Sequence, residues 1–154
     1  MFRIAVCSLL VLGSVQAAAQ EVNPADPEGV VTALQDLGYR ASLETDGVGD
    51  PMIRTATSGV EYNIYFYGCT NNSDCEDMRF LAGLDLKQGI DDETIRAWNE
   101  SSLIGTAYVD DEQDPFLGFY VVTTGGVSKE TFEEAVDLWS RSLGRFLEHT
   151  GFNQ

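Results

Sequence analysis

From Tyr39 to Leu84 apolar residues tend to recur at every second position, and Gly, Pro, Asn, Asp or Ser interrupts them roughly every eight to twelve residues. A segment patterned in this way folds as successive antiparallel strands with one face turned to a core. Tyr39 to Asp46 reads as a first strand, Gly47 to Pro51 as a turn, and Met52 to Thr57 as the returning strand. After the turn at Ser58-Gly59, Val60 to Tyr67 carries the strongest strand signal, with Tyr62, Ile64 and Phe66 on one face and Tyr65 and Tyr67 on the other. Both faces are expected to be partly covered. Residues 76 to 85 make a fourth strand, in which Met78, Phe80, Ala82 and Leu84 alternate with residues such as Asp77 and Arg79.

Helical periods flank and interrupt this meander. Asp26-Pro27-Glu28 supplies an N-cap, a proline in the first turn and an acid at the positive helix end, and Val30, Val31, Leu34 and Leu37 follow at helical spacing before Gly38. Asp91-Asp92-Glu93 opens a second helix with Ile95, Trp98 and Leu103 on its apolar stripe. Gly105 to Val109 and Pro115 to Val122 then form a hairpin around an acidic turn. The bulky run Phe116, Leu117, Phe119, Tyr120, Val121 and Val122 predicts a central strand filled on both faces. Ser128 caps a last helix from about Lys129 to Glu148, roughly 30 Å long, with Phe132, Val136, Trp139, Leu143, Phe146 and Leu147 in one stripe. The order α-β-β-β-β-α-β-β-α is that of an α+β domain, an antiparallel sheet with helices packed on it.

Met1 to Gln20 has the composition of an export leader: Arg3, an apolar run from Ile4 to Val15 too short to span a bilayer, and Ala17-Ala18-Ala19 before the expected cut at Gln20. Residues 1–19 are therefore expected to be a cleaved signal peptide that takes Cys7 with it, and residues 20–154 a single domain that is periplasmic or secreted. Without Arg3 that domain carries eight basic and twenty-five acidic residues, a formal charge of −17. A balance so acidic, with the bases scattered, disfavours nucleic acid and anionic lipid, and no stable membrane insertion is expected after processing.

Cys69 and Cys75 are separated by five residues rich in Asn, Ser and Asp at a hairpin tip. In an oxidising compartment they are expected to form a disulfide, stabilising by roughly 2 kcal/mol through restriction of the unfolded chain. The alternatives are a redox pair, which prefers Cys-x-x-Cys spacing, and a zinc site, for which further ligands are lacking. Asp110, Asp111, Glu112 and Asp114 could offer oxygens to calcium, but the glycine and glutamate of an EF-hand loop are missing, and Asp46 to Asp50 fails likewise. His149, the single histidine, falls in the last helical turn, where the macrodipole favours a cation. The nucleophile elbow, the zincin helix, the phosphate loop and the dinucleotide fingerprint are all missing, and no cofactor or metal is expected. Tyr65, Tyr67, Trp98, Tyr108 and Tyr120 are candidate binding residues, since aromatics on the less buried side of a sheet bring large contact area at small entropic cost. Their alternative role is core filling, the more so for Trp98.

The string Ile64-Tyr65-Phe66-Tyr67-Gly68-Cys69, the later Cys75, the strand Met78-Arg79-Phe80-Leu81-Ala82-Gly83, and Trp98-Asn99 followed by Gly105 to Asp110 resemble the YbjN family. The resemblance spans about Pro27 to His149. It implies a fold like that of type III secretion chaperones and a role in bacterial sensory transduction, with no catalytic residues to carry over. The expectation is an exported, non-enzymatic binding or regulatory protein with a peptide or protein partner, possible as a homodimer. The alternatives are a carboxylate-dependent hydrolase and a small-molecule or calcium-sensing module.

Overall fold

A computed structural model describes residues 21–152; the expected leader, with Cys7, lies outside them. Helix α1 (Pro27–Asp36) begins where Asp26 Oδ1 accepts the Gly29 amide at 3.1 Å, and it buries Val30, Val31, Ala33 and Leu34. Strands β2 (Ala41–Thr45), β3 (Pro51–Thr57), β4 (Val60–Tyr67) and β5 (Asp77–Gly83) follow as an antiparallel meander. Helix α2 (Asp92–Ser101) then carries the chain to β6 (Thr106–Val109), and β7 (Pro115–Val121) returns between β6 and β5. The sheet therefore has six strands in the order β2-β3-β4-β5-β7-β6, all antiparallel. Helix α3 (Lys129–Thr150) closes the chain, with Ser128 Oγ accepting the Thr131 amide and Gly151 ending it at φ 69°.

The α+β class and the element order agree with the sequence reading, and three details differ. A two-residue ladder pairs β1 (Glu21–Val22) with β8 (Val127–Ser128), tying the N-terminal arm to the start of α3; two residues are too few to show a period. Leu103 is not on the stripe of α2. The helix ends at Ser101, Ser102 turns extended as its C-cap, and Leu103 is left 98 % exposed. Strand β7 lies inside the sheet, but it is not filled on both faces: Leu117 is fully buried, whereas Tyr120 is 50 % exposed and Val122, beyond the strand end, is exposed too.

The cause is that all three helices lie on one side. Ile53, Tyr62, Ile64, Phe66, Met78, Phe80, Ala82, Ala107 and Leu117 from the strands share one core with Val30 and Leu34 of α1, Trp98 of α2 and Phe132, Val136, Trp139 and Phe146 of α3. Trp139 sits at its middle, its ring 5.3 Å from Tyr62 and 5.8 Å from Phe80. Burial raises the Tyr62 phenol well above its usual value, opposed by the neighbouring Thr55 hydroxyl and Trp139 indole. Met52 is also buried but stands outside this cluster, because it points to the opposite face.

A disulfide joins Cys69 and Cys75, closing the β4–β5 tip. Asn71, Asn72 and Asp74 inside that loop take left-handed backbone, which Asn and Asp tolerate better than other side-chain-bearing residues. Asn72 Nδ2 donates to Asp50 Oδ1 at 2.8 Å, so the closed tip also fastens the β2–β3 turn.

Candidate functional site

The helix-free face of the sheet gathers most of the exposed aromatic side chains. Because strand side chains alternate, the register places them in rows across the strands. One row runs Glu44, Met52, Tyr65, Arg79, Tyr120 from β2 to β7. On one side of it Tyr67 stands opposite Asp77; farther to the other side Gly83, Phe116 and Tyr108 lie in line. Tyr67 and Tyr120 approach to 5.9 Å between ring centroids and are 39 % and 50 % exposed. Tyr108 stacks on Phe116 at 5.3 Å, and the Tyr65 hydroxyl accepts from Asn63 Nδ2 at 3.3 Å.

Asp77 is the polar anchor of this face. Its Oδ1 accepts the backbone amides of Thr123 (2.8 Å) and Thr124 (3.1 Å) and the Thr124 hydroxyl, while Oδ2 accepts the Tyr120 hydroxyl at 2.9 Å. These bonds, the Thr123 amide first, hold the Asp77 carboxyl below the usual carboxylate range. The same contact raises the Tyr120 phenol, since ionising it would give up the hydrogen bond donated to Asp77 and also set two negative charges side by side. Asp77 thus fixes one exposed tyrosine upright while ordering the segment that follows β7.

Arg79 occupies the middle of the face. Its guanidinium lies across Gly118, where an added Cβ would come within 2.6 Å of Nη2, and stands 5.7 Å from the centroid of the Tyr108 ring. Gly83 serves similarly, leaving room for the Phe116 ring. On β3, Arg54 binds Glu44 (3.1 Å) and Glu61 (3.8 Å), so that cation is neutralised.

Of the five aromatic candidates, Tyr65, Tyr67, Tyr108 and Tyr120 therefore share this face, and Trp98 does not. Trp98 is buried on the other side, edge-on to Phe146 at 5.0 Å, with its Nε1 donating to Gly105 O at 3.2 Å. Asn99, for which the sequence reading offers no role, caps the outer edge of β6. Its Oδ1 accepts the Ala107 amide at 2.8 Å and its Nδ2 donates to the Ala107 carbonyl at 3.0 Å, supplying the hydrogen bonds of a missing strand. The Trp-Asn pair is a clasp between α2 and β6.

The acidic turns serve backbone geometry. Asp46 Oδ1 accepts from the amides of Val48 and Asp50, Asp110 Oδ1 from those of Glu112 and Asp114, and Asp114 Oδ1 from that of Leu86. Among the described residues no three or more His, Cys, Asp or Glu side chains are grouped to hold a metal. His149 sits in the last turn of α3, Nε2 2.9 Å from Thr94 O and its ring 5.6 Å from Trp98, beside a 420 Å³ hollow that also involves Ser101, Ser102, Arg145 and Glu148. Among the described residues no helix is long and apolar enough to cross a membrane.

The sequence reading sets Asp77 and Arg79 in alternation with Met78 and Phe80 but singles out neither of them, nor Gly118, as functional. The signals were a basic residue alternating with Met78 and Phe80, and one glycine inside the bulkiest strand. Residues 26–152 match a family described as "Putative bacterial sensory transduction regulator". No curated protein and no solved structure gives a significant match.

Proposed function

Because the chain belongs to the YbjN family over residues 26–152, we propose that it is an exported regulatory protein that works by binding a peptide or protein segment on the helix-free face of its sheet. The family is described as a regulator, not as an enzyme. The Cys69–Cys75 disulfide hints at an oxidising compartment, which suits the leader-like sequence before residue 20.

The observation that carries the reading is the one-sidedness of the helical layer. A six-stranded sheet that buries one face and leaves Tyr65, Tyr67, Tyr108 and Tyr120 on the other presents rigid, amphipathic contact area already held in place. Tyrosines suit recognition because each brings a large ring and one hydrogen-bonding group at the entropic cost of two torsions. In the acidic turns, Asp46, Asp110 and Asp114 are engaged by backbone amides.

The test compares immobilised wild-type protein with a Tyr67→Ser, Tyr120→Ser double variant in an envelope extract of the native host. The variant gives up the Tyr120–Asp77 hydrogen bond and the Tyr67–Tyr120 ring contact, so it should melt somewhat below the wild type, and circular dichroism at the working temperature establishes that it is folded. A partner retained stoichiometrically by the wild type should fall about tenfold on the variant, the loss expected when two aromatic anchors are removed. Equal retention of the same proteins on both would defeat the proposal.

A further inference from the structure

The structure assigns Arg79 a specificity role on this face: it is placed to take one carboxylate of an acidic side chain in a docked, extended peptide. The inference rests on the docking reading above and names the partner chemistry that reading leaves open.

Three observations converge on it. First, Arg79 is half-buried in the middle of the sheet, and its guanidinium is held by shape: it lies over the Cβ-less Gly118 and against the Tyr108 ring. A planar fork fixed in this way has lost much of its side-chain freedom before any ligand arrives, which lowers the entropic cost of binding. Secondly, its charge is unanswered. The ion pairs among the described residues take Arg54, Arg96, Lys129 and Arg141, and Arg79 is in none of them, in a chain with 25 acidic and 9 basic residues. Arg40, Lys87 and Arg145 are likewise in none, and Arg79 is the one of these four that stands within a strand of the tyrosine face. Thirdly, the acid nearest along the strand on the same face is already engaged. Asp77 accepts from Tyr120, Thr123 and Thr124, and Arg79 is not among its partners.

The chemistry that answers a planar donor fork is a carboxylate, bound by two parallel charge-assisted hydrogen bonds. The surrounding tyrosines supply apolar contact for the neighbouring residues of an extended segment. Its length of contact follows from the row Met52, Tyr65, Arg79, Tyr120, which crosses four strands at about 4.8 Å each. The strongly acidic net charge of the chain favours basic residues toward the ends of the same segment. The occupant is therefore one acidic residue set among apolar neighbours, with positive charge at its flanks.

The experiment uses two end-blocked peptides, Lys-Val-Thr-Glu-Val-Thr-Lys and the same sequence with Gln for Glu, titrated into purified ¹⁵N-labelled protein while the Arg Nε–Hε signals are followed. The glutamate peptide should move the Arg79 signal saturably and bind about tenfold more tightly than its glutamine counterpart, the ratio expected for a hydrogen-bonded charge. Arg79→Gln should erase that ratio. Gly118→Ala should erase it as well, because the new methyl displaces the guanidinium while leaving the charge in the molecule; circular dichroism establishes that each variant is folded. Equal binding of the two peptides to the tyrosine face would overturn the role of Arg79 and leave docking standing. Failure of both peptides to move the Arg79 signal would overturn it too, while docking itself fails only if partner capture is indifferent to Tyr67 and Tyr120.

Discussion

At the scale of single residues, the face is organised by the contact of Asp77 with Tyr120. The fold lowers the Asp77 pKa, so this carboxylate contributes stability that is complete above its unfolded value near 3.9 and disappears as pH falls through the depressed folded value. The Tyr120 phenol is raised, so its contribution is complete below about 10 and is lost as pH rises through the folded value. In Asp77→Asn the charge that opposes phenol ionisation is gone, and Tyr120 should titrate at lower pH than in the wild type. Ultraviolet difference titration, with Tyr120→Phe to identify the transition, checks this; an unchanged midpoint would show that Asp77 does not govern the phenol. None of this was legible beforehand. Asp77 and Tyr120 are 43 positions apart, and strand alternation gives each a face without giving it a neighbour. Arg79 was hidden for the same reason: that its charge is unanswered and that Gly118 lies beneath it are facts of register between β5 and β7.

At the scale of elements, legibility followed the length of the repeat. Strands β3, β4 and β5 and helix α3 each present enough alternating or helical positions for the period to declare itself, and their bounds lie close to those expected. The two-residue strands β1 and β8 could not, and the end of α2 was misplaced because Leu103 continues the helical spacing that Ser102 in fact terminates. The Asn99 clasp belongs to this scale, since it joins a helix to a sheet edge. Asn99→Ala removes both hydrogen bonds to Ala107, whose side chain is nearly buried, and should cost about 1–2 kcal/mol in chemical denaturation. Exchange of the Ala107 amide should quicken in the same variant. If both quantities match the wild type, solvent replaces the side-chain amide and the clasp is dispensable.

At the scale of the whole molecule, the division between a helix-covered face and a tyrosine-bearing face is what sequence periodicity left undecided. Alternating residues such as Tyr62, Tyr65, Ile64 and Phe66 are apolar enough to suit a sheet covered twice, and only the packing of all three helices on one side decides which ring is core and which is surface. Binding on the tyrosine face therefore carries the functional account, and site-specific photo-crosslinking in the native host addresses it most directly. A benzophenone amino acid replaces Tyr120 in one strain and Glu134, exposed on α3 in the opposite layer, in another. The account predicts a discrete adduct of higher mass from position 120 and none from position 134. An adduct from position 134 alone, or none from either, would contradict it.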